Sequence, residues 1–575
     1  MALIIDIETD SLDANNIWLA VTKDTKTNDI HSFREPVEFT NHIRNYDTYI
    51  GHNLLSFDVP ILNKLWGTKI RLSQVVDTLI LSQLFNPNRK GGHSLDNLAQ
   101  LAGCRKMEFS DFSEYSEDML KYCTNDVEIT HKVYKYLLAY DKQGFSKRSV
   151  SLEHNIRHVI NKQQNHGFLV DTQKAMQLLY EIKTKNEKIE NEIRGFFKPK
   201  VRAVKDIQIK RKRDGSISKV GLNHIEDLGY LGGNHTTIRY EDFNLGSPKQ
   251  IVERMDEYGW NPIKFTPKGS PKVCEENLDT LPSSAPEAVK KLALWKSLET
   301  RWKTVESWLD ASCDDGRVHG KVFTMGAVTG RMTHSEPNMA NIVSSSKLYG
   351  KESRECFIAP KGYVLVDVDA SGLELRMLAH YMNNEDFTNE VVNGDPHTAN
   401  MKAAGLPTRS DAKTFIYAFL YGAGAEKIGS IVGGTAKTGS QLKKTFLSNM
   451  PDLKKLQDNV ISKSRRQGYL NGLDGRRIHI RSSHAGLNTL LQGAGAIVCK
   501  QWAIEIDRNV RSEKLDAHLV CSVHDQYVYE VNENYVDKFK EVCYSSIEQS
   551  GKHLNVRCPL SCDIGVGKTW YEAEH

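Results

Sequence analysis

Residues Leu365 to Tyr381 read LVDVDASGLELRMLAHY, and the fold of the chain turns on them. The stretch opens as a strand. Alternation puts Val364, Val366 and Val368 on one face and Leu365, Asp367 and Asp369 on the other. The spacing then turns helical, with Leu373, Met377 and either Leu378 or His380 on one side. Two carboxylates at the exit of an apolar strand are costly to bury unless a metal or a cation answers them. Leu519 to Glu530 (LVCSVHDQYVYE) poses the same problem, with Asp525 inside another β-rich run. Either acid alone reads as a buried turn Asp. Together, with a cationic helix between them in sequence, they have the parts of a two-metal phosphoryl-transfer site.

That helix spans RSDAKTFIYAFLYGAG, where Arg409, Lys413 and Tyr417 recur every four residues and so share a face, with Tyr421 one turn on. Two cations there suit a triphosphate. The bulk numbers are less telling. A chain of 575 residues forms several domains, and a net charge of +4 is too small to mark a nucleic-acid binder without local clustering. Ten cysteines without a CxxC or a zinc-like Cys/His pair point to a reduced, cytosolic protein. No run of eighteen apolar residues exists, and Asp6 interrupts the apolar start, which argues against a membrane span or signal peptide.

Residues 1 to 145 alternate strands and helices in the manner of an α/β domain. The opening MALIIDIETDSL sets Asp6 and Glu8 on one strand face. Asp58 follows in GHNLLSFDVPIL and Asp126 in YCTNDVEIT, with Tyr122 one helical turn before Asp126. Four carboxylates and a tyrosine supply what metal-assisted phosphodiester hydrolysis needs. DxE alone reads as well as strand-end acids. The ordered set DxE, HNxxxFD, YxxxD resembles the tyrosine subclass of the ribonuclease-H-like DEDD 3′–5′ exonucleases. The resemblance implies that Tyr122 orients the attacking water, and that Asp77 and His93 are structural or close to DNA.

DASGLELR, RSDAKTFIYAFLYGAG and VHDQ resemble the three polymerase motifs of family A DNA polymerases. The nearest group is the replicative enzymes of podovirus-type bacteriophages, and bacterial DNA polymerase I is more distant. The resemblance implies a right-hand polymerase after the exonuclease domain, within an α/β multidomain chain. It makes Asp369 and Asp525 the metal-bridging carboxylates of the polymerase site, with the Ala370 carbonyl a further ligand, and implies two Mg²⁺ there and two at the exonuclease site, with Mn²⁺ as a substitute. Arg409, Lys413 and His397 (in GDPHTAN) would hold the triphosphate, Tyr417 and Tyr421 the incoming base and its surroundings, and Glu374 would exclude a ribose 2′-oxygen. Arg331, with Thr329 and His334 nearby, Asn488 and Gln492 would contact primer and template, and His524 belongs to the same motif as Asp525. Relatives usually read HDE where this chain has His524-Asp525-Gln526, so Gln526 is no metal ligand, and Asp367 is left as an accessory or structural acid. Arg476, Arg477 and Arg481 read as a basic strand on the DNA backbone, and the terminal His575 as a weak site candidate. GVGKT at Gly565 to Thr569 imitates a phosphate-binding loop, but Cys562 stands where its first glycine is required.

Residues 148 to 195 read as two helices broken at GFLVD, the second largely polar and solvent-bridging. From Gly195 to Val220 there are nine Lys/Arg against two Asp, running into an Asp214-Gly215 turn signal. A solvated loop and a phosphate-contacting one both fit. The expected domains are the exonuclease at 1–145, thumb and connecting region at 146–320 with a basic insertion near 196–245, first palm segment at 321–385, fingers at 386–482 and second palm segment at 483–575. The implied partners are primer-template DNA, dNTPs, a helicase-primase, a single-stranded DNA-binding protein and a processivity factor, in the host cytoplasm and without a membrane. The alternatives are a repair-type family A polymerase, or a DNA-binding exonuclease with an inactive polymerase domain.

Overall fold

The computed structural model describes residues 1–140, 146–218, 234–480, 482 and 485–574. Arg481, His575 and the part of the basic stretch from 219 to 233 lie outside the described residues. The chain divides into two compact units: Met1–Asp171 with Ala311–His575, and Thr172–Asp310.

In the first unit, Ala2–Thr9 (ALIIDIET) is rich in isoleucine, which favours a pleated strand. It forms the middle of a five-stranded sheet ordered Ile30–Phe33, Ile17–Asp24, Ala2–Thr9, Thr48–Gly51, Val75–Asp77. The first three strands are antiparallel and the last two are parallel to the central one. One face buries Ile4, Leu19, Val21 and Ile50 against Met119, Cys123 and Val127 of the helix Glu117–Tyr140, and the other buries Leu3, Ile5 and Ile7 with Leu54, Val59 and Leu62. With both faces covered, Asp6 and Glu8 are carried at the edge of a dry layer.

A second, wholly antiparallel sheet runs Ala517–Val523, Gln526–Asn532, Tyr363–Ala370, Cys562–Gly567. The Leu365–Tyr381 stretch is a strand to Ala370 and a helix from Leu373 to Met382, with Gly372 between them at φ +55°. That left-handed backbone costs glycine little and a side chain more. The helix was expected to bury one stripe. It buries Leu373, Leu375, Met377, Leu378, Ala379, His380 and Met382, because the 27-residue helix Gly486–Ser512 covers it as well.

Lys500 is 1 % exposed in that long helix, and its Nζ lies 2.6 Å from Glu153 of the helix Lys147–His166. Arg476 reaches Glu153 and Asp474, each at 2.6 Å. Two cations and two anions, all buried, thus neutralise one another. This corrects the reading of Arg476 as a DNA-facing cation: it is buried, and the turn Gly472–Arg476 closes on it.

In the second unit, the helices Thr172–Phe196 and Glu287–Asp310 pack together. Ala175, Leu178, Ile182, Ile189 and Ile193 recur at helical spacing and are buried, so the helix is amphipathic rather than solvent-bridging. Lys200–Ile207 pairs with His235–Glu241 as an antiparallel ribbon. Gly215 at φ +83° turns the short hairpin Arg211 to Ile217, as Asp214-Gly215 led one to expect.

Removing one member of a buried charge group strands its partners. Glu153→Gln should therefore cost about 3–5 kcal/mol of stability, read as a lower denaturation midpoint by near-UV circular dichroism. A loss below about 1 kcal/mol would mean that Asp474 alone neutralises both cations.

Candidate active sites

The N-terminal site gathers its acids from three elements. Asp6 and Glu8 come from the first strand, Asp58 opens the helix Asp58–Leu65 and accepts from the Ile7 N–H at 3.3 Å, and Asp126 lies in the helix Glu117–Tyr140. Their closeness shows in their protonation. Burial, then Asp126, pushes Asp6 up to about 7. Burial, then Asp6, Asp126 and Asp58, pushes Glu8 up to about 9. Burial, then Asp6, also raises Asp58 well above the carboxylate range. All five residues expected of this site are together.

Two further residues belong to it. Cys123 approaches Asp6 and Glu8 so that single ligand atoms of the three lie within 4.8 Å of one another, and its Sγ donates to Asp6 Oδ2 at 3.4 Å. Burial holds that thiol well above its usual range, so it acts as a donor beside the acids. Lys106 Nζ is 2.5 Å from Asp126 Oδ2 and 4.9 Å from the Tyr122 ring centroid. Desolvation works against its charge, and Asp126 more than restores it. Tyr122 stacks on Phe109 at 5.3 Å; burial raises its phenol, which stays protonated at neutral pH. Neither Lys106 nor Cys123 stands in a spacing that singles it out. Asp77 accepts three backbone N–H groups, from Asn53, Leu55 and Leu79, and His93 meets Ser82, so both have structural partners.

At the other site, strand register does the gathering. Asp369 pairs with Gln526 on one side and with Asp563 on the other, and the Ala370 N–H donates to the Asp525 carbonyl at 3.1 Å. Burial, then Asp525, Asp367 and Asp563, pushes Asp369 up to about 7. Asp563 is a carboxylate the motif reading missed, since its CDIGVG segment has no motif of its own. The GVGKT decoy lies in this same strand and in the cap of Trp570–Ala573, where Thr569 accepts from Glu572 N–H.

The helix Arg409–Leu420 supplies the cationic side. Arg409 and Lys413 are exposed, and Arg409 pairs with Asp395 at 2.7 Å. Burial, then the charges of Arg409 and Lys413, lowers His397, whose ring lies 6.1 Å from that of Tyr417. Tyr417 is raised by burial, then by Glu374 and Asp525, which ties this helix to the carboxylate end of the sheet. Glu374 accepts from the Tyr421 hydroxyl at 2.6 Å and pairs with Arg331 at 3.3 Å. Asn488 and Gln492 line a cleft of about 490 Å³ with Gly326, Thr329 and His479. A Cβ at Gly326 would fall 1.8 Å from Thr333 Oγ1, so only glycine lets that wall close. His334, expected near DNA, is buried instead, and burial holds it down at about 4. His524 is exposed on the turn at φ +57°.

The pattern of the family described as DNA polymerase family A matches residues 224–572, and that of a 3′-5′ exonuclease matches residues 4–139. The chain belongs to DNA polymerase family A. It is a DNA-directed DNA polymerase with an N-terminal 3′–5′ exonuclease domain, and it is similar to phage enzymes. The DNA-directed DNA polymerase of Enterobacteria phage T3 is 31% identical across 99% of this chain and 100% of its own length. That of Escherichia phage T7 is 30% identical across 99% of each. The DNA polymerase I of Aquifex aeolicus is 24% identical across 99% of this chain and 95% of its own. The fold matches the POL domain of Pol1 from M. smegmatis, solved with DNA primer-template and dNTP, at a TM-score of 0.77 and 19% identity, over 100% of this chain and 96% of that one.

The raised acids of the N-terminal cluster fix a sign. Folded, Asp6 and Glu8 keep protons up to about pH 7 and 9, whereas their unperturbed values are 3.8 and 4.5. The folded state then binds more protons than the unfolded one between these limits, so its stability is greatest below about pH 4 for these groups and falls as pH rises. In chelator, the melting temperature of Glu8→Gln should fall less steeply than the parent's between pH 5 and pH 9; parallel curves would contradict this.

Proposed function

We propose that this chain copies DNA in a viral replication cycle, extending a primer by two-metal phosphoryl transfer and removing mismatched ends by 3′–5′ exonucleolysis. The observation that carries the reading is the meeting of three distant segments. Register joins Asp369 to the Asp525 turn, and Tyr421, at the end of the Arg409 helix, donates to Glu374 at 2.6 Å.

The donor sets suit a hard divalent ion, being carboxylate and carbonyl oxygen. Asp369, Asp525 and the Ala370 carbonyl would hold two Mg²⁺, or Mn²⁺, at the polymerase site, and Asp6, Glu8, Asp58 and Asp126 two more at the exonuclease site. Bound there, such ions stabilise the attacking and leaving oxygens of an in-line displacement. Arg409, Lys413 and His397 bind the triphosphate, Arg409 exchanging Asp395 for phosphate as it does so. Tyr417 stacks by the incoming base and sugar. Glu374, fixed by Tyr421 and Arg331, occupies the space a ribose 2′-hydroxyl would need. Asn488 and Gln492 offer donors to minor-groove acceptors, which are alike for every Watson–Crick pair, so they sense pair shape rather than sequence. Arg331 and His524 face the primer end. Tyr122, protonated, orients the attacking water. A second site is physically warranted because a small misfit discriminates by only about 1–3 kcal/mol.

On this reading residues 1–145 edit, 146–320 form thumb and connection, 321–385 and 483–575 the palm, and 386–482 the fingers. The ribbon in the second unit leaves Val201, Val204, Ile238 and Tyr240 exposed, which supports contact with a processivity protein. A helicase-primase and a single-stranded DNA-binding protein complete the expected company, in the host cytoplasm. Among the described residues no helix is long and apolar enough to cross a membrane.

Primer extension from a mismatched 3′ end tests the two sites separately. The parent should trim and extend. Asp6→Ala should lose trimming, and Asp369→Ala should lose extension by more than about 10²-fold while still trimming. A parent that trims but never extends matched ends would leave only the nuclease.

A further inference from the structure

Asp367 is 0 % exposed and has no part in the chemistry above, yet its carboxylate is held on purpose-built contacts. Oδ2 accepts from Gln526 Nε2 at 2.5 Å and from Trp570 Nε1 at 3.1 Å, while Oδ1 has no partner among the described residues. Gln526 directly follows Asp525 and lies opposite Asp369 in the sheet. The turn between the strands, with His524 at φ +57°, therefore has one side-chain tether onto the Asp369 strand besides the backbone bond from Ala370. Trp570 adds the last described helix to the same oxygen, with Arg354 over its ring at 4.5 Å.

An amide is the chemistry this contact demands. Oδ2 accepts both of its contacts, so the side chain at 526 has to supply an N–H as Trp570 does. A carboxylate at 526 would set two acceptors against each other in a site shielded from water. We propose that Asp367 and Gln526 form one positioning pair that clamps the Asp525 turn to the Asp369 strand, and so sets the separation of the two metal-binding carboxylates. The pair rests on the reading of Asp369 and Asp525 given above, but its own contact is independent of it. It also implies an exchange: donor and acceptor can trade places. In Asp367→Asn/Gln526→Glu, the new amide would donate to residue 526 but give up the Trp570 bond, because both parent contacts fall on the one oxygen Oδ2.

The experiment is a double-mutant cycle on the full chain with Asp367→Asn, Gln526→Glu and the double variant. Melting temperature is read in chelator; kcat and KM for dNTP, and exonuclease activity, are read with Mg²⁺. Gln526→Glu should melt below the parent and lose about 10–100-fold in kcat, with KM changed less than about threefold and trimming unchanged. Asp367→Asn alone should be mild, since two amides can still bond. The double variant should regain part of the lost melting temperature, the Trp570 bond staying lost, and at least about threefold in kcat over Gln526→Glu. The pair is overturned if Gln526→Glu stays within threefold of the parent, if the double variant is no better than Gln526→Glu, or if trimming falls in step with extension. Should Gln526→Glu fail to fold, recovery of folding in the double variant supports the exchange and continued failure overturns it. Loss of extension in Asp369→Ala tests the underlying site separately, because the melting cycle in chelator does not depend on it.

Discussion

Everything in this molecule bends to the repulsion of like charges held out of water. Two groups of carboxylates are gathered in places closed to water, and at Asp6, Glu8, Asp58 and Asp369 burial and then neighbouring acids disfavour the ionised form. Asp369 at about 7 and Glu8 at about 9 measure that tension. Such groups stay together only if the backbone leaves them nowhere else to go, and both sites are accordingly built on central strands covered on both faces.

The two sites solve the problem differently. The proposed exonuclease site takes acids from a strand and two helices and sets a cation among them, Lys106 on Asp126. The proposed polymerase site relies on sheet register, with Asp369, Asp525 and Asp563 at one end of three neighbouring strands and no lysine or arginine ion-paired to Asp369 or Asp525 among the described residues. Its cations arrive instead from the Arg409 helix, which keeps Arg409 and Lys413 exposed, with Arg409 engaged by Asp395. This division suits a site whose substrate brings its own negative charge.

Behind the polymerase site, Glu153, Lys500, Arg476 and Asp474 form a neutral cluster linking three segments far apart in sequence. Such clusters add little net stability over a well-packed apolar core, yet are intolerant of losing one member. The same logic explains why Arg476 turned out to be buried. A GRR sequence shows cations but not whether carboxylates 323 residues upstream and two residues before will claim them.

What the sequence determined by itself is whatever depends on local periodicity and charge. Asp6 with Glu8, Tyr122 with Asp126, and Arg409 with Lys413 and Tyr417 are each fixed by period-two or period-four geometry, which a short segment carries intact. Tertiary structure alone decided the rest, because it depends on which segments meet. Lys106, Cys123 and Asp563 joined the sites through contacts that no spacing encodes, and the amphipathic stripe of Thr172–Phe196 found its partner only in Glu287–Asp310. Gln526 shows the difference most plainly. In sequence it reads as an acid lost beside Asp525; folded, it is the amide that a buried Asp367 needs, since only three-dimensional register sets one against the other.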